Sequence, residues 1–251
     1  MPKFFVTPDQ IHGDTLIITG NDAKHISFSL RMKVCDKITV CSSDKIDYLC
    51  EISSFESDAV HANIISSSIC EAEPPYFIRL FQCLPKGDKM EQIIQKAVEL
   101  GVSEIVPVYS LRCIAKPTPS GRDNKDKKTE RYNRIAYEAA GQSGRGIIPR
   151  VYDCVDFKKA LEMAQNDSMS FICYEGNRSV SLKEYWIQSI GGDNKNNVIS
   201  FFIGPEGGFS TDEVALAEQL GVRSVGLGNR ILRTETASGF VLSSIAYQTE
   251  L

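Results

Sequence analysis

Residues 201–210 read FFIGPEGGFS. An apolar run that begins at Val198 stops at Gly204-Pro205-Glu206-Gly207-Gly208, and a helix start follows at once. Ser210 with Glu213 three residues later has the spacing of a capping box, and Asp212 adds negative charge to the first turn. A buried strand that ends in a glycine-rich turn and feeds a helix is the joint of a parallel α/β sheet. Ligands of such sheets collect beyond the carboxyl ends of the strands.

The same rhythm recurs on both sides of this stretch. FIRLFQCL, EIVPVYS, SFICYE and SVGLG read as further strands. Between the first two, Asp88 to Leu100 has Met90, Ile93, Ile94, Ala97 and Val98 on one helical face, and Gly101 ends the helix. This predicts a mostly parallel sheet flanked by helices. The first seventy residues differ. DTLIITG, DKITVCSS, YLCEISSF and AVHANIIS are β-type segments of a small barrel or sandwich, interrupted at 21–34, where Asn21 or Asp22 caps a short helix with Ile26 and Leu30 on one face. The diproline in EAEPPY (71–76) continues neither element, so the expected domains are 1–72 and 73–251.

Composition narrows the function. With 251 residues, 42% hydrophobic and 24% charged, the chain is of ordinary globular type. Its apolar runs fall short of the roughly 18–20 residues that cross a bilayer, and the start MPKFFVTPDQIHGD lacks the apolar core of a signal peptide, so a cytoplasmic protein with no membrane partner is expected. The eight cysteines include no CxxC pair and the three histidines cluster in the first quarter, which argues against a metal site and for reduced thiols. A net charge of −4 excludes indiscriminate coating of nucleic acid. Between Arg112 and Arg150, however, ten basic residues oppose four acidic ones, a local +6 that suits either an RNA contact or a solvated stretch.

The glycine-rich turn is not a phosphate cradle. Neither GxxxxGK[ST] nor a strand-coupled GxGxxG occurs in the chain, the capping box consumes N–H groups at the helix start, and Glu206 repels an anion. A cofactor with a positive centre and no phosphate fits better. S-adenosylmethionine carries a sulfonium and an adenine that exposed main chain can read, and glycines allow the close approach. A tight turn alone accounts for one or two of the glycines. A second loop, GLGNRILRTETAS (226–238), follows the strand VRSVGLG and places Arg230 and Arg233 beside Thr234, Glu235 and Thr236. These arginines either serve the ligand or form an ion pair with Glu206.

GPEGGFS (204–210) together with LGNRILRTETA (227–237) resembles the paired cofactor motifs of SPOUT-class methyltransferases, and more narrowly of the family that methylates N3 of a uridine in small-subunit (16S) ribosomal RNA. The likeness extends along the chain. His25, Leu30 and Arg31 resemble an H…LR element, LPKGDKMEQIIQKAVELGVSEIVP (84–107) a central segment, and EAAGQSGR (138–145) an EAAEQSGR-like stretch. Departures are Cys35 at a usual glycine position and Leu111 and Gly141 at usual glutamate positions.

This resemblance implies a PUA-like or OB-like RNA-binding β-barrel followed by an α/β SPOUT domain with a carboxy-terminal trefoil knot, in a homodimer acting on 16S rRNA in the assembled subunit. It implies S-adenosylmethionine bound by Gly204, Pro205, Glu206, Gly207, Gly208, Leu227, Gly228, Ile231, Leu232, Thr234, Thr236 and Ala237. Loss of a proton at uracil N3 needs stabilised oxygens and an acceptor. Arg145 and Arg233 are the candidates for the charge, and Glu235, with Glu138 as a second choice, for the proton. Arg31, Lys86, Lys89, Arg112, Lys125, Lys127 and Lys128 are the expected RNA contacts. Ribose 2′-O methylation, or RNA binding without catalysis, are the alternatives.

Overall fold

The computed structural model describes residues 3–42, 44–114, 122–176, 180–189 and 197–251, with 122–126 as backbone alone. The chain divides into two units: Met1–Glu73 with Glu138–Ile148, and Pro74–Tyr137 with Pro149–Leu251.

In the first unit, strands β1 (Lys3–Phe5), β2 (Ile11–His12), β3 (Thr15–Thr19), β4 (Lys37–Cys41), β5 (Ile46–Phe55) and β6 (Ala59–Ile69) pair in the order β1-β4-β5-β6-β3-β2. β1 joins β4 in parallel and the other pairings are antiparallel. Strand alternation sends Leu16, Ile18, Ile38, Val40, Ile52, Val60 and Ala62 into one core. The helix expected at 21–34 is shorter than its apolar spacing suggested. α1 (Gly20–Lys24) is capped by the backbone of Thr19 without a side-chain bond, and a wider π turn spans His25–Ser29. Leu30 N–H donates five residues back, to His25 O at 2.9 Å. This wide turn rotates Leu30 off the buried face, leaving it 41% exposed while Ile26 is buried.

The expected boundary at 72/73 missed a return. Glu138–Ile148 belongs to the first unit, and Arg145 holds it there. The guanidinium is 2% exposed; its Nε and Nη2 donate to Glu73 Oε1 and Oε2 at 2.9 Å each, and Glu73 Oε1 also accepts Gly146 N–H at 2.7 Å. Lys3 Nζ adds a bond to Gly144 O at 2.9 Å and Cys41 Sγ one to Gly146 O at 3.2 Å.

In the second unit the strands are β7 (Phe77–Cys83), β8 (Glu104–Tyr109), β9 (Arg150–Val151), β10 (Val155–Asp156), β11 (Met169–Cys173), β12 (Val180–Ser181), β13 (Val198–Ile203) and β14 (Arg223–Gly226). They form a parallel sheet in the order β10-β8-β7-β13-β11-β14-β12, with β9 also on β8. The middle strands are buried nearly throughout, as unbroken apolar runs require. Phe81 stacks on Phe202 across the sheet at 4.3 Å between ring centres. The helices are α2 (Lys89–Glu99), α3 (Arg122–Gln142, of which Glu138–Gln142 belong to the first unit), α4 (Phe157–Ala164), α5 (Leu182–Ser189), α6 (Thr211–Gln219) and α7 (Thr234–Thr249). α2 buries the five residues its periodicity named and ends as expected, with Gly101 at φ 92°. α7 packs on α2 and β13. Among the described residues no helix is long and apolar enough to cross a membrane.

Candidate active site

The two loops singled out in the sequence meet at the carboxyl ends of β13 and β14. Thr234 joins them: its Oγ1 donates to Gly204 O at 2.7 Å and accepts from Gln82 Nε2 of β7 at 2.9 Å, and Thr234 and Gln82 are both buried. The turn after β13 closes on itself through Gly208 N–H to Pro205 O at 2.9 Å, with Gly208 at φ 65°. A side chain at Gly204 would put Cβ 3.2 Å from Gly208 Cα and from the Phe209 ring. These two glycines therefore let a tight turn form beneath a ligand surface. Gly207 has a different reason: its Cβ would lie 3.3 Å from Arg112 Cβ, and Arg112 Nη1 donates to Gly207 O at 2.9 Å.

The helix start after this turn is self-satisfied, as the spacing foretold. Ser210 Oγ accepts Glu213 N–H and Glu213 Oε2 accepts Ser210 N–H. The second Glu213 oxygen accepts Leu111 N–H at 2.8 Å, tying in the loop after β8. The capping box takes two of its donors and Asp212 and Glu213 add negative charge, so this helix terminus suits a phosphate poorly.

The ion pair offered for Arg230 or Arg233 with Glu206 does not form. Lys89 takes that place: its Nζ is 3.0 Å from Glu206 Oε1 and 3.3 Å from Glu235 Oε2, while Lys86 N–H points at both Glu206 oxygens, at 3.2 and 3.3 Å. One ammonium at the start of α2 thus bridges the two loops. Burial alone would raise the Glu206 pKa, but hydrogen bonds from its own backbone, Lys89 and Lys86 hold it below the usual carboxylate value. The bond to Glu206, and less strongly that to Glu235, holds the Lys89 ammonium above the ordinary lysine value.

The loops enclose a cleft of about 510 Å³, within the size range of small-ligand sites. Of the twelve expected cofactor contacts, all except Thr236 line it. Arg233 lines it too, with an exposed side chain at the N-cap of α7; Arg233 O accepts Thr236 and Ala237 N–H at 2.9 and 2.8 Å. Among the described residues it forms no ion pair with Glu206 or Glu235. The segment Cys173–Gly176 completes the wall and was not foreseen. Its signal was available in the strand SFICYE, whose carboxyl end must reach the same edge of the sheet.

The expected RNA contacts separate into three groups. Lys89 and Arg112 are cleft-wall residues engaged with Glu206, Glu235 and Gly207. Arg31, Lys86, Lys127 and Lys128 are exposed. The side chain of Lys125 lies outside the described residues. Of the basic residues behind the local +6, Arg145 is buried on Glu73 and Arg131 pairs with Glu91, while Arg150, 4.7 Å above the Tyr152 ring, stays exposed. Among the described residues no His/Cys/Asp/Glu group has the makings of a metal site, and all eight cysteines are free thiols.

The RNA methyltransferase domain family matches residues 72–246. Ribosomal RNA small subunit methyltransferase E of Bacillus subtilis (strain 168) is 38% identical over 100% of this chain and 98% of its own length. The protein of the same name from Mesomycoplasma hyopneumoniae (strain 232) is 33% identical over 97% of this chain and 98% of its own. A crystal structure of ribosomal RNA small subunit methyltransferase E from Neisseria gonorrhoeae bound to S-adenosyl methionine superposes with a TM-score of 0.85 at 30% identity, over 99% of this chain and 98% of that one. A cleft of two hydrogen-bonded loops on a parallel sheet, and a full-length match to these relatives, place the chain in the RNA methyltransferase family.

Proposed function

We propose that this protein transfers the methyl group of S-adenosylmethionine to N3 of a uridine in small-subunit (16S) ribosomal RNA. The observation that carries the reading is the cleft itself: apolar walls from Leu227, Ile231, Leu232 and Ala237 beside two carboxylates bridged by one ammonium. The residues fit the cofactor. Apolar walls suit an adenine, the Glu206 carboxylate on the cleft wall suits a cationic sulfonium, and the capped, acidic start of α6 disfavours phosphates. When bound, the cofactor supplies the electrophilic methyl carbon.

The chain's own residues must position uracil, remove its N3 proton and stabilise charge on its carbonyl oxygens. Arg233, an exposed guanidinium at the cleft, is assigned the oxygens. Glu235, whose carboxylate lies 3.3 Å from Lys89 Nζ at the cleft, is assigned the proton. Arg145 is left out, because both arms of its fork are committed to Glu73.

Several observations support the finer architecture. The chain leaves β14, is pinned through Thr234 to Gly204 at the end of β13, and packs α7 on α2 and β13; this path suits a trefoil knot. The six-stranded sheet of the first unit suits a PUA-like or OB-like barrel. An apolar groove of about 640 Å³ between α5 and α7, with Ile187 and Tyr247 65% and 67% exposed, shares Leu227 and Gly228 with the cleft and suits a homodimer interface beside it. The ribosomal target implies a cytoplasmic enzyme.

The test is a nucleoside digest of 16S rRNA and of small subunits after incubation with the protein and S-adenosylmethionine. 3-Methyluridine is expected. A 2′-O-methylated nucleoside as the product would overturn the base assignment, and no methylated nucleoside from either substrate would overturn the activity.

A further inference from the structure

The first unit presents a second concave feature, away from the chemistry assigned above. Ala23, Lys24, Ser27, Phe28 and Met32 from the α1 region, with Phe55 to Ser57 and Ala59 from the turn between β5 and β6, line a pocket of about 350 Å³. Phe28 stands in it on the π turn and is 73% exposed. Leu30 and Val34 follow at 41% and 51% exposure. Burial in the core beneath is complete at Ile26, so these apolar side chains are not needed to close it.

The backbone that carries them is held in costly conformations. Arg31 has φ 51° and Cys35 φ 73°, both in the left-handed region that non-glycine residues seldom adopt. A π turn followed by two such residues is a local rule broken twice within eleven residues, and such breaks cluster at binding sites. The stretch itself is basic, and the facing turn between β5 and β6 sets against it Glu56, paired with His61 at 3.1 Å, and Asp58. Residues 24–37 carry Lys24, Arg31, Lys33 and Lys37 against Asp36, a local +3 in a chain of net −4. Asp36 is occupied by Lys33 N–H at 2.7 Å, and the Lys24–Asp58 pair is long, at 3.8 Å, and exposed.

We propose that this pocket is a single-base site for RNA: an unpaired nucleobase stacks on Phe28, and the flanking phosphates lie along Lys24, Arg31 and Lys33. An exposed aromatic ring with cations on the same short segment is what single-stranded RNA recognition uses, stacking for the base and ammonium or guanidinium for the backbone. The proposal rests on the RNA-methyltransferase reading for the identity of the ligand, and it assigns to this surface target capture, apart from transfer.

The experiment compares full-length Phe28→Ala, Phe28→Leu and Phe28→Trp with the unaltered chain, for binding to a single-stranded RNA oligomer and to 16S rRNA. Phe28→Ala should weaken both by about 5- to 150-fold, the range for loss of one base stack. Phe28→Leu should not restore affinity and Phe28→Trp should. The indole fluorescence of Phe28→Trp should be quenched by RNA, against a background of the one native tryptophan, Trp186 in the second unit. Cofactor affinity and thermal unfolding should stay unchanged, since Phe28 is exposed. Full recovery with Phe28→Leu would mean an apolar contact of the kind a protein partner makes, and unchanged RNA affinity in Phe28→Ala would remove the site; either result overturns the proposal. Failure of the unaltered chain to methylate RNA would overturn the activity and leave these binding results standing.

Discussion

Two arginines entered with the same expected role, and the molecule uses them differently. Arg233 sits at the N-cap of α7 with an exposed side chain on a ligand-sized cleft. Arg145 lies in the other unit, buried, its fork closed on Glu73, whose carboxylate also receives the N–H groups of Gly146 and Ile147. Each stands in a family-like motif, yet one motif builds a cleft and the other fastens a returning segment. A buried, hydrogen-bonded guanidinium has no donor to lend to chemistry. An exposed one at a cleft has several.

The contrast is most directly broken at Arg145. Arg145→Met leaves the Glu73 carboxylate buried with backbone donors only, and removing one partner of a buried pair costs about 3–5 kcal/mol. Calorimetric unfolding should show that loss while S-adenosylmethionine affinity of the folded protein stays normal. A folded Arg145→Met protein that no longer binds cofactor would place Arg145 in the site after all. Arg233→Lys is the mirror experiment. It keeps the charge but loses the planar fork, and loss of such a donor slows transfer by about 10²–10³. Single-turnover methylation at saturating cofactor and RNA reads this directly, because saturation hides a binding defect. A near-normal rate would reduce Arg233 to scaffold.

Smaller effects distinguish the glycines of one loop. At Gly208, with φ 65°, an alanine adds about 1–2 kcal/mol of strain, so Gly208→Ala should weaken cofactor binding by about 5- to 30-fold. Gly207→Ala meets only Arg112 Cβ at 3.3 Å, and a shift of Arg112 by tenths of an ångström absorbs it. Titration calorimetry on both should rank Gly208 well above Gly207; the reverse ranking would mean that the ligand approaches at Gly207.

The smallest expected effect is acid sensitivity of the Lys89 bridge. The Glu206 pKa is lowered in the folded chain, so its contribution is fully present above the free carboxylate value of 4.5 and is lost as pH falls through the lower folded value. The Lys89 pKa is raised, so its contribution is present below 10.5 and is lost as pH rises through the higher folded value. Cofactor affinity should therefore be flat from about pH 5 to 10 as far as this pair is concerned and should fall below that window. Glu206→Gln should remove the acid limb. An acid limb unchanged in that variant would assign it elsewhere.

The local features were legible in the chain because their causes are local. Alternation placed the four longer strands of the first unit, a 3.6-residue period placed the buried face of α2, and Ser210 with Glu213 announced the cap of α6. Two glycine-bearing loops after apolar strands located the cleft, since a parallel sheet brings its carboxyl strand ends to one edge. What tertiary structure alone decided were choices among distant partners. The order that inserts β13 between β7 and β11, the return of Glu138–Ile148, the selection of Lys89 over Arg230 and Arg233 as partner of Glu206, and the placing of Cys173–Gly176 in the wall all depend on residues far apart in the chain. Periodicity and turn chemistry report what a residue needs from its neighbours in sequence. Which of several arginines and lysines meets a given carboxylate is settled by packing, which brings the start of α2 to the turn after β13 and puts Lys89 Nζ 3.0 Å from Glu206.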